Sequence, residues 1–228
     1  LVSKTMKIYY LTFLLTFSIL PLSAAAQVGP YVEKGFGIEG AFSSADNSST
    51  LGASAGYVFQ PAIELGAGVG RTSFENSDFA ATAVGPYLSI YPVRQGERFP
   101  ISIFLNGSYN FQTFSGDQVN RIEARGGSVS GNASSLSAGL FHAFEASETV
   151  NILPFAGVAY TQNNTEVSGG GQTISDTQET TSFVLSLSFE FKTSETSSFV
   201  VTPTANVADD NSSLGISASL ALPGKDVQ

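Results

Sequence analysis

The sequence predicts an all-β protein, an up-and-down antiparallel transmembrane β-barrel of ten strands, with eight as the alternative count. Three patterns predict it. Segments alternating apolar and polar residues recur along nearly all of the chain after Gln27, and period two marks a strand with one dry and one wet face. The links between these segments are alternately short and long. The apolar faces carry aromatic residues at both ends and aliphatic residues between them.

Residues 1–26, LVSKTMKIYYLTFLLTFSILPLSAAA, read as a secretory signal peptide, with Lys4 and Lys7 ahead of an apolar run and Ala24-Ala25-Ala26 before Gln27. Residues 27–228 then form a single barrel domain. Strands are expected near 35–43, 51–60, 62–73, 80–91, 100–114, 134–145, 150–162, 181–192, 198–207 and 213–222. Many match the roughly 9–11 residues that a tilted strand needs to cross hydrocarbon. The segment TSFVLSLSFEFK at 181–192 is the clearest: Phe183, Leu185, Leu187, Phe189 and Phe191 share one face.

Short links fall at Gln60-Pro61, PVRQGERF, ASET and TSETS, and long polar ones at 115–132 and 163–180. Short turns at one end and longer loops at the other are the habit of outer-membrane barrels. On the presumed outer face, Phe36, Tyr57, Phe59, Phe144, Phe189, Phe191 and Phe199 lie near the short-turn ends. Phe42, Tyr109, Phe111, Tyr160 and Phe183 lie near the long-loop ends, with Ile38, Leu65, Leu105, Leu140, Val158 and Leu185 among the residues between. Aromatic girdles around an aliphatic belt suit a bilayer, because amphipathic rings favour its interfaces.

Composition narrows the function classes. The formal net charge is −9 with no cysteine, which argues against a nucleic-acid partner and excludes disulfide or thiolate-metal scaffolds. The triplets Ala55-Gly56-Tyr57, Ala67-Gly68-Val69, Ala138-Gly139-Leu140 and Ala156-Gly157-Val158 put glycine on the polar face. Pro86, Pro154 and Pro203 lie inside expected strands, where each removes a ladder donor and predicts an irregularity.

On these features, and on the stretches VGPYLSIYP (84–92), SLSAGLFHAF (135–144) and PFAGVAY (154–160), the chain resembles the small outer-membrane β-barrel proteins of Gram-negative bacteria, the OmpA-type and OmpX-like family. The resemblance implies export through the periplasm, insertion by the barrel-assembly machinery and outer-membrane lipid as the surrounding medium. The last strand ends at Leu222 and lacks the carboxyl-terminal aromatic common in such barrels.

No catalytic residues are expected. The single histidine, His142, falls near the short-turn end on the outer face, at the wrong depth and direction for a catalytic base, and without a placed base none of the serines is an activated nucleophile. Glu39, Glu64, Glu145, Glu190 and Lys192 are expected inside the barrel, with Asn106, Asn110, Gln112 and Asn206 completing a hydrogen-bond network or a narrow wet path. Acidic residues crowd the loops (Asp46, Glu75, Asp78, Asp117, Glu123, Glu166, Asp176, Glu179, Asp209, Asp210), but no EF-hand spacing accompanies them. No cofactor and no metal is therefore expected. The sequence points to a non-enzymatic membrane protein with a structural or surface-interaction role through loops 115–133 and 163–180. A small selective channel, an outer-leaflet lipid enzyme and a secreted soluble β-barrel binding protein are the alternatives, and the extracellular partner is unknown.

Overall fold

The computed structural model describes residues 34–224 except 61, 76, 97, 195–196 and 209–211; the expected signal peptide, Asp209 and Asp210 lie outside them. The strands are β1 (Gly35–Ala45), β2 (Ser48–Gln60), β3 (Ile63–Phe74), β4 (Ala80–Val93), β5 (Ser102–Ser115), β6 (Ser128–Phe141), β7 (Phe144–Ser147), β8 (Val150–Gly169), β9 (Gln172–Ser194), β10 (Ser197–Val207) and β11 (Ser213–Pro223). Apart from β6 and β7, strands consecutive in sequence pair antiparallel. Pairing of β1 with β11 closes the ring, and β8 takes both β6 and β7 on one edge. Since β7 only continues the line of β6, the result is a closed up-and-down barrel of ten strands. Closure satisfies the backbone donors and acceptors that an open sheet would leave at its edges.

Burial alternates along the strands. On β9, Ser182, Val184, Ser186, Ser188 and Glu190 turn inward while Phe183, Leu185 and Leu187 are exposed outside. The expected strand at 134–145 breaks at His142 and Ala143, where the Gln95 side chain substitutes for a neighbouring strand: its amide accepts from the Ala143 N–H and donates to the Ala143 carbonyl.

The prolines behave in two ways. Pro154 stays in the ladder opposite Leu187. At Pro86 and Pro203 the pairing has a gap on one side and resumes in the same register, Val84↔Phe111 to Tyr87↔Ser108 and Val201↔Phe189 to Thr204↔Ser186. Beside the second gap the Thr202 hydroxyl donates to Ser188 Oγ at 2.9 Å.

Two expectations about the long links need correction. The link at 115–132 holds a helix, α1 (Asp117–Glu123). Its Val119 is buried against Phe74, Phe79, Ala81 and Val129, with Phe114, Ile122 and Val167 packed around them. The signal for it was Val119 and Ile122, three apart and on one helical face. The link at 163–180 is a β-ribbon: β8 and β9 run on past the barrel and meet at Gly170-Gly171, both at positive φ (60° and 74°), the geometry of a tight hairpin turn for which glycine carries no steric cost.

Candidate functional site

The outward face is the first candidate surface. Between polar ends, outward positions are apolar on every barrel strand, as in Phe36-Ile38-Gly40-Phe42, Leu51-Ala53-Ala55-Tyr57-Phe59 and Phe183-Leu185-Leu187-Phe189-Phe191. Above this belt the same faces turn polar at once, with Ser44, Ser49, Arg71, Thr113 and Thr181. Eight residue intervals of about 3.3 Å on a strand tilted about 40° rise about 20 Å, close to the apolar band of outer-membrane barrels. Tyr57 and Phe59 meet edge to face, as do Tyr109 and Phe111 at the other rim. Tyr160, Phe144 and Phe199 are exposed in the same outward set.

The interior is built asymmetrically. Bulky residues come from β4, β5, β6 and β8: Tyr91, Phe104, Phe141 and Leu153 form an apolar floor at the short-turn end, with Phe155 against it. The α1 cluster caps the same side at the long-loop end. The facing wall (β9, β10, β11, β1 and β2) turns mainly small residues inward, among them Ser186, Thr204, Ser217, Ala41 and Ser54.

Glycines seat two of the large rings. A Cβ on Gly56 would lie 2.2 Å from Tyr87 Oη, and one on Gly66 would lie 2.3 Å from Tyr87 Cζ. The ring therefore lies flat across β3 and reaches β2. A Cβ on Gly139 or Gly157 would lie 2.6 and 2.8 Å from the Phe155 ring. Three of the four Ala-Gly-apolar triplets thus share one task, which is to leave room for an inward aromatic ring.

Among the polar residues expected inside, Glu64 is wholly buried and accepts hydrogen bonds from Tyr87 Oη (3.0 Å) and Tyr91 Oη (3.1 Å). Glu39 faces inward beside it and takes a hydrogen bond from Ser217, while its Oε1 is buried with no hydrogen-bond partner. Asn106 Nδ2 donates to Ser89 Oγ at 2.8 Å, and Gln112 Nε2 donates to Asn163 Oδ1 at 3.4 Å. Asn110 is buried on the same strand, and Asn206 donates to Ser213 Oγ at 3.1 Å. Glu190 is buried and accepts from Asn151 Nδ2 at 2.7 Å, on another part of the wall from Glu39 and Glu64.

Glu145 and Lys192 stand apart from this set. Both are exposed at the short-turn end. Their parity is inward, but they lie past the rim: the β5–β6 ladder stops at Ser102↔Phe141, and among the described residues no strand pairs with Glu145 on that side. Tyr87, Tyr91, Asn151 and Ser217, absent from the expected site, are the donors that hold the interior carboxylates. The alternation Tyr87-Ser89-Tyr91 against Leu88-Ile90 was the signal for the tyrosines.

A Tyr91→Phe substitution removes one of two hydroxyl donors from a buried carboxylate. We expect a loss of about 1–3 kcal/mol, read from the denaturant midpoint of the folded barrel, with Tyr109→Phe on the outer face within about 0.5 kcal/mol of the parent.

His142 sits outside the strands, its ring 4.1 Å from Phe144 between centroids and its Nδ1 bonded to the Pro100 carbonyl. Among the described residues no group of three or more His, Cys, Asp or Glu is placed to hold a metal ion.

No protein-family model and no curated protein sequence matches the chain. Solved structures do. The translocator domain of the autotransporter NalP from Neisseria meningitidis aligns with a TM-score of 0.51 at 10% identity, covering 96% of this chain and 94% of that one. Ail, the attachment invasion locus protein of Yersinia pestis, aligns at TM-score 0.41 and 11% identity over 83% of this chain and 95% of its own. The N-terminal β-barrel domain of Pseudomonas aeruginosa OprF aligns at TM-score 0.34 and 13% identity, over 82% and 97%. At these identities the likeness to the NalP domain concerns the barrel fold alone.

Proposed function

We propose that the protein is an integral outer-membrane β-barrel of a Gram-negative bacterium, without enzymatic activity, that engages an extracellular partner through the ribbon of β8 and β9. The continuous apolar belt carries the membrane part of this reading, since water would penalise so large an exposed apolar surface and lipid would not. On this reading the short-turn end faces the periplasm and the ribbon projects outward. The earlier resemblance adds the barrel-assembly machinery as the partner during insertion.

The ribbon supports the second part. On one edge β9 pairs with β8 throughout Gln172–Phe191, whereas pairing with β10 ends at Val207↔Phe183. Among the described residues no strand pairs with the other edge of 172–182. Such an edge offers a row of backbone donors and acceptors to an extended peptide. The ribbon carries Glu166, Asp176 and Glu179 and no lysine or arginine, so a basic extended segment is the complementary partner.

Two measurements test the reading. The purified protein should require detergent and change gel mobility on boiling; a soluble monomer in the periplasmic fraction would remove the membrane assignment. A Lys-containing, β-branched decapeptide should protect amides within 172–182 from hydrogen exchange, with Thr177→Pro reducing that protection at least tenfold. Unaltered exchange in the parent protein would remove the ribbon as the contact.

A further inference from the structure

The described interior holds more negative charge than the partner role requires. Glu39, Glu64 and Glu190 all face inward on the barrel strands. Inward positions of those strands hold no arginine, and the one lysine of matching parity, Lys192, is exposed at the rim. Arg94, just past the end of β4, brings its guanidinium over the Tyr91 ring at 5.9 Å. Two of the three carboxylates are neighbours: a Cβ on Gly56 would lie 2.8 Å from Glu64 Oε1, and Gly56 pairs with Gly37, two residues before Glu39 on the same face of β1. Like charges held together away from water demand compensation by a proton, a cation or a hydrogen-bond donor for every oxygen.

Glu64 has donors in Tyr87 and Tyr91. Glu39 is different: Ser217 serves one oxygen, and Oε1 is buried without a hydrogen-bond partner. Directly across from Glu39 in the ladders lie Ser54 on β2 and Ser219 on β11. Residues so paired on one face stand about 4.5–5.5 Å apart at Cβ, so hydroxyl oxygens flank the carboxylate on both sides.

There is also a way in. Toward the long-loop end, inward Ala41, Ser43, Gly52 and Ser186 are all partly accessible to solvent although their strands are paired on both sides. Their accessible surface belongs to the lumen. Farther along the inward face of β1, Gly37 and Gly35 are buried, as are Val58 and Val200 on neighbouring strands of this wall. Solvent therefore reaches along this wall as far as Glu39, in a vestibule open at the long-loop end.

We propose that Glu39 and Glu64, with the hydroxyls of Ser54 and Ser217, bind a small hard cation at the foot of this vestibule. Carboxylate and hydroxyl oxygens are the donors such an ion takes, and the ion would supply the partner that Glu39 Oε1 otherwise lacks.

The test uses the purified folded barrel, stripped with chelator, and CaCl2 as the probe. Titration calorimetry should show a site that Glu39→Gln weakens at least tenfold, and Ca2+ should raise the midpoint of heat unfolding in the parent but not in that variant. The ribbon variant Asp176→Asn/Glu179→Gln should retain the site. If Glu39→Gln does not fold, Glu39→Asp, which keeps the charge but shortens its reach, should fold and bind more weakly. Absence of Ca2+ binding in the parent would overturn the proposal, as would binding lost in the ribbon variant and kept in Glu39→Gln. A parent whose stability follows pH but not Ca2+ would also overturn it, because a proton would then be the compensating partner.

Discussion

Replacing Gly85 with alanine is expected to abolish the folded, heat-modifiable form of the protein. A Cβ at this position would lie 1.9 Å from the carbonyl oxygen of Tyr109 and 2.8 Å from Asn110 Cα. Both obstacles are backbone atoms of β5, so no rotamer change relieves the clash. Gly85 precedes Pro86 at the point where the β4–β5 ladder leaves its gap, between Val84↔Phe111 and Tyr87↔Ser108. Relief would mean moving β5 away and losing the neighbouring rungs. Overpacking in ordinary cores costs about 1–3 kcal/mol; here a cost above that range is expected. Gly56→Ala provides the contrast, since its obstacles are the ends of the Tyr87 and Glu64 side chains. Combining it with Tyr87→Phe should recover part of the loss, and a double-mutant cycle measures how much. If Gly85→Ala yields a barrel as stable as the parent, the close approach of β4 and β5 is wrong.

An arginine in place of Leu185 is the second large effect. Leu185 is 53% exposed on the outward face of β9, between Phe183 and Leu187. In an aqueous environment this exchange would be neutral or would improve solubility. At the midplane of a bilayer an outward arginine costs about 2–4 kcal/mol, falling to about 0–1 near the interface. The variant should therefore fold into lipid vesicles with a stability lower by that amount, whereas Thr181→Arg, two places above on the same face as Phe183, should lose no more than about 1 kcal/mol. Equal tolerance at both sites would contradict a bilayer around the belt. Depth dependence is the informative readout, because a merely structural disturbance of β9 would not follow distance from the midplane.

The outer face was legible in the sequence because it needs only local information. A strand alternates by covalent geometry, so Phe183, Leu185 and Leu187 share a side whatever β9 pairs with. The girdle residues Phe36, Tyr109, Phe111, Tyr160 and Phe199 all lie on the outward face for the same reason. Turn spacing gave the order of the strands, but closure needs β1 to pair with β11, which no turn records. The count of ten, with eight left open by the sequence, is the one the structure has.

Strand ends were less legible. Polar residues at 163–180 look alike in a loop and in a ribbon, since a two-sided wet strand has no apolar alternation to show. What makes them strands is the continued ladder from Val158↔Phe183 out to Gly169↔Gln172. Glu145 and Lys192 show the converse failure: parity assigned them inward, but parity says nothing about where the rim falls.

The sequence by itself determined the alternation, the apolar belt and the small-residue character of the polar face, all consequences of one residue's relation to its near neighbours. Only the tertiary structure decided what fills the lumen. Tyr87 lies over Gly66 and Gly56, Glu39 sits beside Glu64, and Gln112 meets Asn163 across 51 positions of sequence. These contacts depend on which strands become neighbours and how far their registers are offset. Long-range pairing sets both, and no local pattern records it.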